Sequence, residues 1–310
     1  MQQSKCNQQN FDLRKTSAPS LCTTYDAHDP DLLAGIMPLV EFLEITPDSI
    51  AISKNGKTKL HPMILEDLKE AASELKLLAH GVGLSIASFE GYSEAYIDLL
   101  GQLQQEVELY WHSEHLGYTT VDHENLNTML AVPRSRDMLD LLIKRICEIQ
   151  GRFGIPFLLE NIVHLLPDYH PEYSDAEFLN ILSQETGCGL ILDLYNLECD
   201  AFNYGFDVSG FLKELNMNAV REIHLAGGVQ HKGFQLDIHS GIVARSTLDL
   251  THTVLNRENN IEVITYEILP QAVNTYGHQM VIDELGRLSD EFNIKKNGNS
   301  NIPAKYQTFA

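Results

Sequence analysis

Short apolar runs alternate along this chain with longer stretches whose apolar positions recur at helical steps. The short runs are SLCTTYD (20–26), LVEFLEI (39–45), LLAHGVGLSI (77–86), VELYWHSEHL (107–116), IPFLLEN (155–161), CGLILDL (188–194), VREIHLAG (220–227) and IEVITYEIL (261–269). Each has the length and composition of a strand. Between them, residues 62–78 set Met63, Leu65, Leu68, Ala72 and Leu75 at steps of two to four. Residues 134–150 set Met138, Leu141, Leu142, Arg145, Ile146 and Ile149 on one helical face. Shorter helices are predicted over 174–184, 208–215 and 246–256, with Ser174 capping the first and Asp207 or Ser209 the second. Buried-looking strands alternating with helices predict a parallel sheet. Eight such units predict a single-domain (β/α)8 TIM barrel, over residues 19–294. The polar residues 1–18 read as a disordered N-terminal arm and 295–310 as a flexible C-terminal tail.

Chemistry in such barrels gathers at the C-terminal ends of the strands. Those ends carry Glu44, His80, Ser113-Glu114-His115, Glu160-Asn161, Asp193 with Asn196 one turn later, His224 and Glu267. After the seventh run, Asp237 and His239 stand two apart in Q-L-D-I-H-S-G, and in extended backbone such residues share a side. Imidazole and carboxylate without thiolate suit Fe, Mn or Zn. One ion takes three or four protein ligands. The nine candidates His80, His115, Glu160, Asp193, Asn196, His224, Asp237, His239 and Glu267 therefore suit two or three ions. Glu160 or Glu267 could bridge two of them. Without cations, that many ionisable groups at one mouth would repel or stay unsatisfied.

Neighbouring residues have plainer roles. Glu44 is expected to support a ligand from behind rather than to be one. Glu114 faces away from His115 as a surface or structural group, and His112 is structural. Asn161 caps a loop. His123, His164, His170, His231, His252 and His278 read mostly as ordinary surface residues. Gly81, Gly83, Gly227 and Gly228 allow tight turns or close backbone approach. The chain has no G-x-x-x-x-G-K-S/T phosphate loop and no G-x-S-x-G elbow.

The formal charge of −21 argues against a nucleic-acid partner and favours a basic peptide or metal cations. Five cysteines without a C-x-x-C pair argue against a disulfide framework or thiolate zinc site, and reduced thiols suit the cytoplasm. The N-terminus lacks an apolar signal core, and no apolar run reaches the ~18 residues of a membrane-spanning helix.

The strand-end phrases, taken together, resemble a known family. H-G-V-G-L-S (80–85), S-E-H-L (113–116), L-L-E-N (158–161), G-L-I-L-D-L-Y-N (189–196), N-Y-G-F-D (203–207), E-I-H-L-A-G (222–227) and D-I-H-S-G (237–241) follow in that order. Their order and spacing are similar to those of the multinuclear non-haem iron-dependent oxidative enzymes, the MbnB-like family, from about residue 20 to 290. The resemblance implies a TIM barrel with two or three iron ions that activate O2. It implies a ribosomally made precursor peptide as substrate, modified at cysteine or at aspartate or asparagine, and a partner protein that presents the leader peptide. It makes the nine candidates the metal-site residues, with Glu160, Asp237 and His239 as the catalytic ones. The chain departs from the family pattern at Tyr195 (usually Asn), Tyr204 (usually His) and Glu114 (usually Asp), and SLCTTYD replaces the usual opening G-V-G-L. Two other classes remain open. One is a redox-inert divalent-metal barrel of the sugar-isomerase or endonuclease-IV kind, its nuclease form disfavoured by the charge. The other is a non-catalytic binding barrel.

Overall fold

Eight parallel strands close into a barrel in this computed structural model, which describes residue 6 and residues 18–54, 57–166, 168 and 170–296. The barrel strands are β1 (Ser20–Thr24), β2 (Phe42–Ile45), β3 (Lys76–Gly81), β4 (Leu109–His115), β5 (Phe157–Glu160), β6 (Gly189–Asp193), β7 (Val220–Leu225) and β8 (Val263–Tyr266). They pair in chain order, and β1 closes on β8 with Ser20–Thr23 in register with Val263–Tyr266. The predicted (β/α)8 TIM barrel is therefore the observed fold. Each predicted run contains its strand, except that β3 starts one residue early, at Lys76. Every residue of β2, β5, β6, β7 and β8 is buried, as expected of a parallel sheet covered on both faces.

Two layers fill the barrel. Cys22, Phe42, Leu78, Trp111, Leu158, Ile191 and Val263 form an apolar plug. Two residues further along each strand, on the same inward side, stand Thr24, Glu44, His80, Ser113, Glu160, Asp193 and Thr265. The polar layer thus sits one pleat above the plug. Outward-facing Leu43, Ile45, Leu77, Leu159, Leu192, Ile223 and Ile264 join the second core, between sheet and helices.

The first predicted helix, over 62–78, stops at Ala71 because residues from Lys76 onward enter β3. The helix predicted over 134–150 spans Arg136–Phe153. Ser174 and Asp207 both cap, accepting hydrogen bonds from Glu177 N at 3.0 Å and Gly210 N at 2.9 Å. Asp207, rather than Ser209, is the cap of its helix. Three antiparallel hairpins were not predicted: 51–60, Gly117–Ala131 and 229–236, which follow β2, β4 and β7 at the barrel mouth.

The arm 1–18 and tail 295–310 lie almost wholly outside the described residues. Cys6 is described, and it forms a disulfide with Cys147 across 141 residues, which corrects the expectation of five reduced cysteines. Cys22, Cys188 and Cys199 are free and buried. No described helix is long and apolar enough to cross a membrane.

Two glycines give opposite expectations. A Cβ on Gly81 would overlap the buried Glu114 carboxylate and the Tyr96 hydroxyl. One on Gly101, inside the helix Glu94–Glu106, would meet open space. Gly81→Ala is expected to destabilise by about 1–3 kcal/mol and Gly101→Ala to stabilise by roughly 0.5–1 kcal/mol, as measured by urea unfolding.

Candidate metal centre

Strand register brings the donors together before any side chain is considered. His115 on β4 pairs with Glu160 on β5, and Asp193 on β6 pairs with His224 on β7. Neighbouring strands lie about 4.8 Å apart, so their inward side chains converge. Glu160 is the hub. Its Oε2 lies 2.9 Å from His80 Nε2 and 3.5 Å from His115 Nε2, and its Oε1 lies 3.5 Å from His224 Nδ1. His224 Nδ1 is also 3.1 Å from Glu267 Oε2. Glu267 Oε1 is 2.9 Å from His239 Nδ1, and His239 Nε2 is 2.6 Å from Asp237 Oδ1. Donor atoms of Glu160, Asp193, His224 and Glu267 lie within 4.8 Å of one another, as do those of His80, His115 and Glu160. Asn196 joins through Asp193, which caps its helix by accepting from Asn196 N at 2.6 Å. Eight of the nine sequence candidates are therefore linked through side-chain donor atoms, and Asn196 is tied to them by its backbone N–H.

The second ring nitrogens reveal how the imidazoles are held. Ser113 Oγ donates to the Ala79 carbonyl at 3.2 Å, so at 2.9 Å it can only accept from His80 Nδ1. His115 Nδ1 likewise donates to the Gly81 carbonyl at 2.9 Å. Both rings, when neutral, therefore turn an Nε2 lone pair toward Glu160.

Several acceptors in the cluster are unsatisfied. Asp193 Oδ2 and Asn196 Oδ1 are buried without a hydrogen-bond partner, and both Glu160 oxygens lack a well-aligned one. Buried orphans of this kind need cations. Without them, protons serve. Burial works against a charged His80, but Glu160 and Glu44 outweigh it and raise its pKa to about 10. Burial also opposes charge on His224 and His239, which Glu44 and Glu160, and Glu267 and Asp237, push well up. Burial raises Asp193, with Glu160 and Asp237 adding to it. Burial opposes ionisation of Glu160, yet His115, His224 and His80 bring it well below the carboxylate range. A donor set with the nitrogen and oxygen atoms of Fe, Mn or Zn ligands, carrying orphaned buried acceptors, fits divalent cations.

The loop holding Asp237 and His239 is not the extended segment predicted. His239 has φ +40°, a left-handed conformation that costs a non-glycine residue about 1–3 kcal/mol. Ser240 N, bonded to the Gly227 carbonyl at 2.7 Å, and the His239 carbonyl, bonded by Leu269 N at 3.1 Å, hold it there. Gly227 has no room for a Cβ beside the Gly241 and Ile242 carbonyls, so close approach is its function. A cavity of about 370 Å3 opens beside the cluster, bordered by His115, Asn196 and Asp237 and lined by Met129, Ile162, Leu165, Tyr204, Phe234 and Ile238.

Some plainer readings change. Glu114 is buried beside Tyr96 and Gly81, so it is structural but not superficial. Burial drives His112 down to about 3 and keeps it neutral. Asn161 ties β5 to β6, donating to the Asp193 carbonyl at 3.0 Å and accepting from Asp193 N at 2.9 Å. Sequence reasoning missed Glu222, fully buried at 3.5 Å from His224 Nε2. Its signal was available, since it stands two before His224 on the same inward side. His164 is no ordinary surface residue. Its Nδ1 lies 2.6 Å from Asp200 Oδ2 and its Nε2 3.2 Å from Asp175 Oδ1, which Arg134 also engages.

Fold and site together define a (β/α)8 barrel whose mouth gathers imidazoles and carboxylates into one buried cluster. A family described as "RiPP precursor modification enzyme MbnB/TglH/ChrH" matches residues 26–267 (RiPP denoting a ribosomally synthesised, post-translationally modified peptide), and the chain belongs to that family. The UPF0276 protein of Psychromonas ingrahamii is 26% identical over 261 residues, covering 83% of this chain and 86% of the relative. That of Chromobacterium violaceum is 34% identical over 176 residues, covering 57% and 64%. Among solved structures, the IolI protein with a bound zinc atom is 14% identical with TM-score 0.56, covering 90% of this chain and 100% of that one. Endonuclease IV from Thermus thermophilus is 18% identical with TM-score 0.55, covering 89% and 99%. At such identities these two likenesses bear on the fold alone.

The His164 clamp gives a pH dependence. Burial opposes its charge, but hydrogen bonds to Asp175 and Asp200 prevail and raise His164 from 6.5 to about 9. A raised histidine contributes stability that is complete below the unfolded-state value and lost as pH climbs through the folded one. Wild type is expected to lose roughly 1–3 kcal/mol from this source between pH 6.5 and about 9. His164→Gln should flatten that part of the profile in thermal melts; an unchanged slope would exclude the clamp.

Proposed function

We propose that this protein is a multinuclear iron-dependent enzyme that uses O2 to oxidise a ribosomally made precursor peptide at cysteine, or at aspartate or asparagine. The observation that carries this reading is a single cluster that joins eight of the nine donors through their side chains around one fully buried carboxylate, Glu160. That number exceeds the needs of one ion. Family membership supplies the peptide, and the resemblance of the strand-end phrases supplies iron and O2.

His80, His115 and Glu160 would hold one ion; Glu160, Asp193, His224 and Glu267 a second; Asn196, Asp237 and His239 a third. The two oxygens of Glu160 face different imidazoles, which suits a carboxylate shared between ions. Bound iron would supply the redox equivalents for O2-dependent oxidation. The protein's own part is position and exclusion of water. His239 Nε2 and Asp237 Oδ1 stand 2.6 Å apart, close enough for both to serve one cation. The apolar cavity lining beside them admits a peptide side chain and displaces water. Exposed Val82, Leu165, Leu166, Phe234, Ile238 and Ile242 on the mouth loops offer apolar surface to the rest of the peptide or to a leader-binding partner protein.

The test is anaerobic purification, iron reconstitution and metal counting, followed by co-expression with any short precursor-like peptide found encoded beside the gene. We expect two or more irons per chain, O2 uptake and a mass change in the peptide. Asp237→Ala and His239→Ala should each lower activity by about 100-fold or more, at or beyond the upper end of the roughly 10–100-fold that losing an outer-shell partner of a metal ligand costs. Less than one iron per chain after reconstitution would reject the reading. Activity with Zn or Mn and no O2 uptake would favour a redox-inert barrel enzyme instead.

A further inference from the structure

A second pair of carboxylates faces the Nε2 side of His224. Glu44 on β2 and Glu222 on β7 are both fully buried. Glu44 Oε2 is 3.4 Å and Glu222 Oε1 3.5 Å from His224 Nε2, the nitrogen that faces away from Glu160 and Glu267. The two carboxylates are not equivalent. Glu222 Oε1 already accepts from the Thr265 hydroxyl at 2.5 Å, and Glu222 Oε2 from Trp111 Nε1 at 3.2 Å. Neither oxygen of Glu44 has a hydrogen-bond partner, and neither does His224 Nε2, while His224 Nδ1 lies in hydrogen-bond geometry with Glu267 Oε2 at 3.1 Å.

We propose that Glu44 is a positioning residue that fixes the ring of His224, taking its Nε2–H and leaving the Nδ1 lone pair for a cation held with Glu160 and Glu267. This rests on the metal reading above and adds a residue to it. A neutral imidazole has one N–H and one lone pair. With the proton on Nε2, it satisfies the one carboxylate here that lacks a donor. With the proton on Nδ1, a lone pair would point at two buried carboxylates, and the cluster would lose a ligand. His80 and His115 are oriented by a hydroxyl and a carbonyl, on Nδ1. His224 is thus held in the opposite sense, by a carboxylate, which makes it the more basic ligand. A cation between Glu44, Glu222 and His224 would need the Nε2 lone pair as well. The ring would then carry no proton at all, so the proton count favours Nε2–H directed at Glu44 over a second cation.

Zn2+ serves as a diamagnetic probe. In the Zn-loaded full chain, NMR of isotope-labelled histidine, with His224→Gln for assignment, is expected to show His224 bound through Nδ1 and protonated on Nε2. Glu44→Met should bind the same number of ions at saturation with about 10–100-fold weaker affinity at one of them. Glu44→Gln, whose amide oxygen still accepts the N–H, should fall between that and wild type. Far-ultraviolet circular dichroism of the metal-free variants separates misfolding from ligand loss. Protonation on Nδ1 in the loaded wild type, which needs no variant to fold, overturns the proposal. So does unaltered affinity in both variants, or the loss of one whole ion at saturation, which would mark Glu44 as a ligand. A wild-type chain that takes up no Zn2+ instead refutes the metal reading beneath it.

Discussion

A carboxylate with no exposed surface sits against three imidazoles, and much of this molecule can be understood as what it takes to hold it there. Isolated, an ionised Glu160 would carry a desolvation penalty of several kcal/mol. Its neighbours cancel that penalty only by being positively charged, as histidine cations or as rings coordinating metal. The opposing shifts of Glu160 and His80 express the first solution. The orphaned oxygens of Asp193 and Asn196 show that it is incomplete, because no donor group among the described residues reaches these two acceptors.

The barrel meets that demand by stacking two chemically different layers one pleat apart. The apolar plug below, which includes Trp111 and Phe42, is buried throughout. The polar layer above inherits a low dielectric from it, which strengthens every attraction in the cluster and every repulsion left uncompensated. This explains why the supporting groups also need partners. Ser113, the Gly81 carbonyl, Thr265 and the Trp111 N–H each occupy a site that would otherwise be another orphan.

Much of this could be read from sequence, for a local reason. A strand buried on both faces announces itself as a short apolar run, and the first charged residue to end it falls at the barrel mouth, so Glu160, Asp193 and Glu267 could be named without coordinates. What could not be read depends on distant contacts. Cys6 and Cys147 share no spacing pattern. His164 looks like a loop histidine until Asp175 and Asp200 arrive from two helices. The hairpin over 229–236 has short strands without a buried apolar face, because it packs against the helix Leu194–Tyr204 by hydrogen bonds. Glu222 lies inside the strand rather than at its end, so V-R-E-I-H does not mark it as a residue of the mouth.

The departures from the family pattern bear on this division between donors and supports. Neither tyrosine replaces one of the nine candidates. Tyr195 is buried, and its hydroxyl donates to the Leu236 carbonyl at 3.2 Å, on the residue immediately before Asp237. Asn203 grips the same strand twice, donating to the Gln235 carbonyl at 2.9 Å and accepting from Gln235 N at 2.8 Å. Tyr195 therefore bears on where the Asp237 loop stands rather than on which atoms it offers. Tyr204 is half-exposed, lines the cavity and donates to the Leu165 carbonyl at 3.3 Å. A ring there narrows the approach and adds apolar surface. Both substitutions thus act on the shape of the opening through which a peptide would reach the cluster, while the charge balance around Glu160 is left as it was.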